Sequence, residues 1–125
     1  MKRRTFGSLA CVLLFSAAAS LPGAAAAGDS VSLEGEVVDL ACYLPRGEKG
    51  RGEDHRECAQ MCAEGGAPLG LLGPGGELVL LVEDHAKPAA YAKVKELAGR
   101  EASIKGERFA RGGIAAVVVQ AAEGR

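Results

Sequence analysis

Aromatic residues are scarce in this chain, and positive charge is not in excess. Tryptophan is absent, and aromatic residues of all kinds make up 4% of the sequence. The 16 acidic residues outnumber the 15 basic ones. Proteins that bind nucleic acids rely on a basic groove and on aromatic side chains that stack against the bases. We therefore expect no nucleic-acid partner.

Beyond the N-terminus, the sequence also lacks an apolar run long enough to cross a membrane. The N-terminus combines a basic start at residues 2–4, a short apolar stretch and a run of alanines at 24–27. That order is typical of a secretory signal peptide, and the apolar part is too short for a transmembrane helix. We predict a signal peptide at residues 1–27 and a single domain at residues 28–125. The protein is expected to be periplasmic or secreted, exported by the Sec rather than the twin-arginine route, and not an integral membrane protein.

Motifs for catalysis are missing as well. We find no serine–histidine–aspartate order and no pair of carboxylates set for acid–base work. The glycine-rich residues 73–76 lack the lysine and hydroxyl residue that follow in a phosphate-binding loop. The C-x-x-C and C-x-x-C-H spacings are absent, so neither a thioredoxin-type motif nor covalent haem is expected. We expect the protein not to be an enzyme.

The sequence does contain a cluster of soft metal donors. His55, Cys58 and Cys62 follow an H-x2-C-x3-C spacing, and Cys42 precedes them, just after the first predicted strand. On one helix, positions i, i+3 and i+7 lie within about 60° of one another, so these three side chains would form one stripe. Cleavage of the signal peptide removes Cys11, and the three remaining cysteines cannot all pair within one monomer. The odd number and the aligned histidine favour a metal site whose ligands are the histidine and these three cysteines.

The donor set fits two thiophilic ions. Three cysteines and one histidine are a standard set for structural zinc. Cys58 and Cys62 form the expected inner pair, joined by either His55 or Cys42, and a trigonal soft set of this kind suits Cu(I). Residues 58–62 also resemble the C-x3-C motif of Sco-type copper chaperones. We predict Zn or Cu(I) as the cofactor, bound for metal handling or as a structural clip.

A disulfide is the alternative to a metal. Small exported domains often use disulfides as staples. A bridge from Cys42 to Cys58 or Cys62 would close the intervening loop, and in the chain-entropy model it would stabilise the folded protein by about 3 kcal/mol. The protein would then be a stapled interaction module that binds an envelope protein without a metal. The metal hypothesis stands first, and this one stays open beside it.

Asp39 stands three residues before Cys42, at the end of the first predicted strand. We interpret it as a polar residue that ends the strand. The alternative stays open that its carboxylate accepts a hydrogen bond from a metal-bound His55.

The apolar patterning predicts a mainly β fold with two short helices. The predicted strands are residues 31–39, 69–72, 78–82, 102–106 and 114–119, with Gly35 marking a bulge or tight coil in the first. The predicted helices are residues 54–64, with Asp54 and Glu57 as a capping box and Gly65-Gly66 as the stop, and a second that begins at Pro88 and ends at Gly99. Residues 44–54 are glycine-rich and charged, and are predicted to form a mobile loop. Five strands with a helix between the third and fourth indicate a five-stranded OB-fold-like barrel, here with a helical insert between strands 1 and 2.

Two motifs carry a resemblance to known proteins. Residues 35–43 read G-x-V-V-D-x-x-C-Y, and residues 55–62 read H-x-x-C-A-x-x-C. In this pairing the chain resembles uncharacterised small exported bacterial proteins with an OB-fold-like pattern and a cysteine- and histidine-bearing helix insert. The last hairpin, around residues 111–113, is similar to that of small bacterial OB-fold proteins. The resemblance implies a fold and brings no activity with it.

Overall fold

A closed β-barrel forms the body of the protein in the computed structural model, which describes residues 27–125. The predicted signal peptide, residues 1–27, lies outside the described residues except for its last alanine. The five strands are β1 (Asp29–Asp39), β2 (Leu69–Leu72), β3 (Leu78–Glu83), β4 (Glu101–Arg111) and β5 (Ile114–Gly124). They close in the order β1-β2-β3-β5-β4, with β3 and β5 parallel and every other neighbouring pair antiparallel. The predicted five-stranded OB-fold-like barrel is confirmed.

Within residues 27–125, three short helices accompany the barrel, where the sequence predicted two. They are α1 (Leu40–Arg46), α2 (Arg56–Glu64) and α3 (Pro88–Glu96). Both α1 and α2 lie between β1 and β2, which confirms the predicted helical insert, and α3 connects β3 to β4. None of the helices in residues 27–125 has the length and apolar character needed to cross a membrane.

The prediction of a mobile loop at residues 44–54 is wrong. The segment completes α1 and then forms two 3-10 turns, Gly47–Gly50 and Glu53–His55. Asp39 starts this structure, since its Oδ1 atom accepts the backbone N–H of Cys42 at 2.8 Å and so caps α1. The glycines in this segment lie in tight turns and some of its charged residues form ion pairs. Composition alone does not distinguish such an ordered segment from a disordered loop.

The predicted capping box of α2 is wrong as well. The helix begins at Arg56, its N-cap position is His55, and no side chain caps it. Asp54 instead lies within the preceding 3-10 turn. The predicted stop is confirmed: Gly65 ends the helix, and Gly66 follows with a φ of 89°, a value that glycine adopts without strain.

Gly35 marks the point at which β1 passes from one neighbour to the other. Residues on its N-terminal side pair with β4, and from Glu36 onward the strand also pairs with β2. The β1–β4 register runs through Gly35 without a shift, so the option of a bulge at Gly35 is wrong, and the option of a tight coil stays a prediction. A register shift occurs instead in the β4–β5 pair, between Lys105 and Gly106. A Cβ atom at Gly35 would collide with the backbone carbonyl of Leu72, so only glycine fits.

The apolar core fills the barrel and extends under α2. Every strand contributes a buried side chain, among them Val37, Leu69, Leu81, Ile104 and Val117. From α2, Ala59 and Ala63 are buried in the same cluster. Cys58 and Cys62 each precede one of these alanines, so they lie about 100° away around the helix axis. The packing of the alanines against the barrel therefore places both cysteines at the edge of the contact rather than in the core.

Candidate metal centre

Three thiols from two helices meet beside the barrel. Cys42 lies on α1, which follows β1 directly, and Cys58 and Cys62 lie one turn apart on α2. The three Sγ atoms all lie within 4.8 Å of one another. This is the set of cysteines that the sequence assigned to the site.

The three thiols differ in their access to solvent. Cys42 is 9% exposed, whereas Cys58 and Cys62 are partly exposed. All three are free thiols in the part of the chain that the structure describes. The disulfide alternative is therefore not confirmed, although the sulfurs are neighbours.

His55 lies close to Cys42 but outside the triangle of sulfurs. The predicted stripe along one helix required His55 to belong to the same helix as the two later cysteines, and α2 starts one residue after it. The stripe consequently holds for Cys58 and Cys62 alone. His55 instead forms a second group of donors with Asp39 and Cys42, again within 4.8 Å of one another.

The Nε2 atom of His55 lies 3.0 Å from Oδ2 of Asp39. A carboxylate only accepts, so Nε2 carries the hydrogen and donates it. Asp39 is fully buried and His55 is 8% exposed. Asp39 ends β1, as predicted, and its carboxylate also accepts a hydrogen bond from His55 and caps α1. Binding of His55 to a metal, the other part of the alternative, stays a prediction.

The surroundings of the thiols disfavour thiolates in the absence of a cation. Burial raises the pKa of Cys42 to about 12, with further contributions from its hydrogen bond to Asp39 and from the charge of that carboxylate. Burial, followed by the charge of Asp39, also raises the pKa of Cys62. The buried negative charge beside the thiols means that a bound cation would displace their protons and compensate that charge at once.

The spacing of the sulfurs is compatible with coordination. Thiolates bound to one zinc ion at about 2.3 Å stand about 3.8 Å apart in a tetrahedral arrangement. The three sulfurs lie no more than 4.8 Å apart, so a shift of up to about 1 Å brings them to a shared ion.

Sequence reasoning missed the contacts that hold the intervening segment on the barrel. Glu36 of β1 is 4% exposed, and it accepts hydrogen bonds from Arg51 Nε at 2.9 Å and from the Gly52 N–H at 2.6 Å. The helix start at Asp39 could have been found, because an aspartate before an apolar stretch is a common N-cap signal. The Glu36 contacts have no such signal, since they join residues that are 15 and 16 positions apart.

The candidate centre thus consists of the sulfur triangle of Cys42, Cys58 and Cys62, with the Asp39–His55 pair beside it. No family model, curated protein or solved structure matches this chain.

Proposed function

We propose that this protein is an exported binder of a thiophilic metal ion, which the thiolates of Cys42, Cys58 and Cys62 hold. The convergence of three sulfurs within 4.8 Å carries the proposal. Two cysteines one turn apart on a helix are common, but the third comes from a separate helix that starts at the end of β1. Cysteines that merely pack as small apolar side chains are usually buried, and two of these are partly exposed.

The three sulfurs suit Cu(I) and Zn(II) in different ways. Three thiolates complete a trigonal set for Cu(I), a soft ion that prefers sulfur donors. Zn(II) takes a fourth donor, which would be water on the exposed side or the nitrogen of His55. Coordination by His55 stays a prediction from the sequence.

The proposed role is metal handling rather than a structural clip. The apolar cluster that fills the barrel and extends beneath α2 includes none of the three cysteines. Partial exposure of Cys58 and Cys62 gives an incoming ligand access to the ion. The signal peptide predicted at residues 1–27 places this activity in the periplasm or outside the cell.

Titration of the reduced, purified protein with Zn(II) and with Cu(I), each against a chromophoric chelator, tests the proposal. We expect one ion per chain and a loss of affinity of about tenfold or more when any one of the three cysteines becomes serine, because each removes a direct ligand. Met61→Leu is the matched control. This side chain neighbours Cys62 on α2 and is 66% exposed, so its thioether is predicted to leave the affinity unchanged. Equal affinities of the wild type and the cysteine variants would contradict the proposal.

A further inference from the structure

The Asp39–His55 hydrogen bond joins the starting points of the two helices that carry the sulfurs. Asp39 is the last residue of β1 and immediately precedes α1, the helix of Cys42. His55 immediately precedes α2, the helix of Cys58 and Cys62. The bond of 3.0 Å therefore fixes one helix start against the other.

Both oxygens of the carboxylate take part in this connection. Oδ1 accepts the Cys42 N–H at 2.8 Å, and Oδ2 accepts the Nε2–H of His55 at 3.0 Å. Asp39 is fully buried, so water does not compete for either oxygen. A buried hydrogen bond of a charged group is stronger than an exposed one, and breaking it leaves a desolvated charge without its partner.

The position of His55 separates this role from that of a ligand. The Nε2 atom of His55 is engaged by Asp39. Neither nitrogen of the ring lies within 4.8 Å of all three sulfur atoms. Coordination by the other nitrogen, Nδ1, would therefore require the ring to move closer to the sulfur triangle of Cys42, Cys58 and Cys62.

We infer that His55 is a positioning residue: through Asp39 it holds Cys42 against Cys58 and Cys62, and the ion is bound by three sulfurs without His55. This inference rests on the proposed metal binding. The Asp39–His55 pair would hold the three sulfurs close together before the ion binds, so it affects the affinity for the ion without contacting it.

Three variants separate positioning from coordination. His55→Gln retains an N–H donor near the place of Nε2 and removes the imidazole. Asp39→Asn retains an oxygen that accepts the Cys42 N–H, but it presents an N–H group to Nε2 of His55. Because Nε2 must then accept, the ring proton moves to Nδ1, and a protonated Nδ1 cannot bind a metal ion. His55→Asn is too short to reach Asp39 and breaks the connection.

The affinity of each variant for Cu(I) and Zn(II) is measured by chelator competition. Positioning predicts that His55→Asn loses about 10–100-fold, while His55→Gln stays within about threefold of the wild type. Asp39→Asn also removes the buried charge beside the thiols, so this variant is compared through its ligand set rather than its affinity. Positioning predicts that the absorption spectra of the Co(II)-saturated His55→Asn and Asp39→Asn variants match that of the wild type, because the ligand set is the same. Circular dichroism of the metal-free variants checks that each one is folded.

The outcomes are distinguishable. If the wild type binds no ion, the proposed function fails. If the wild type binds but His55→Gln loses affinity, or if the Co(II) spectrum of His55→Asn or Asp39→Asn differs from that of the wild type, His55 is a ligand and the inference is overturned. Wild-type affinity in His55→Asn also overturns it. Should His55→Asn not fold, retained affinity in His55→Gln supports the inference, and its loss there overturns it.

Discussion

At Cys42, burial and a neighbouring carboxylate act on the thiol in the same direction. Both raise its pKa, which reaches about 12. Cys42, which completes the sulfur triangle, is thus held as a neutral thiol near neutral pH in the absence of a metal ion. The sequence predicted the identity of the three cysteines from their number and spacing. It did not predict this environment, because Asp39 acts on Cys42 through the geometry of a helix cap.

The raised pKa predicts slow alkylation of Cys42 in the folded, metal-free protein. Only the thiolate reacts, and at pH 8 a thiol with a pKa of about 12 is ionised in about one molecule in ten thousand. The rate should therefore rise about tenfold per pH unit between pH 8 and pH 10. Iodoacetamide labelling, followed by peptide mass spectrometry, measures the rate at each cysteine.

Two controls accompany this measurement. In urea the pKa of Cys42 should return towards its ordinary value of 9.0, and the rate at pH 8 should increase. Asp39→Asn removes the charge and should also accelerate labelling of Cys42 in the folded protein. A rate at Cys42 that is the same in folded and unfolded protein would contradict the assigned environment.

At the scale of elements, the segment between α1 and α2 is ordered by one strand residue. Glu36 joins β1 to Arg51 and Gly52, so the two helices are connected by a tethered turn rather than by a mobile loop. The strands and the glycine stop of α2 were predictable, since alternation of apolar residues and glycine stops are local signals, whereas the start of α2 was not. The order of residues 44–54 was not, because it depends on a glutamate that lies on a different element.

Removal of this tether should destabilise the protein. Hydrogen bonds to a charged group contribute about 1.5–3 kcal/mol, so Glu36→Ala is expected to lower the free energy of unfolding by about 2 kcal/mol. Glu34, two residues earlier on β1, provides the control. It is exposed and pairs with Arg125 at 2.7 Å, and Glu34→Ala should cost less than about 1 kcal/mol. Urea unfolding measures both values, and equal losses in the two variants would show that Glu36 does not hold the segment.

At the scale of the whole molecule, the barrel serves as a rigid support for the site. β1 ends at Asp39, α2 is fastened to the core through Ala59 and Ala63, and the sulfurs meet between these two fixed points. The order of elements along the chain was sufficient to predict the barrel and its insert. The position of His55 beside Cys42 but outside the sulfur triangle was not predictable, because it depends on α2 starting one residue after His55.

Metal binding by the three cysteines is tested most directly by native mass spectrometry of the purified protein, with a count of reactive thiols before and after chelation. We expect one ion per chain, with Cys42, Cys58 and Cys62 protected until the ion is removed and all three reactive afterwards in denaturant. A metal-free chain that is lighter by about two mass units and has one reactive thiol contains a disulfide, and this result would contradict metal binding.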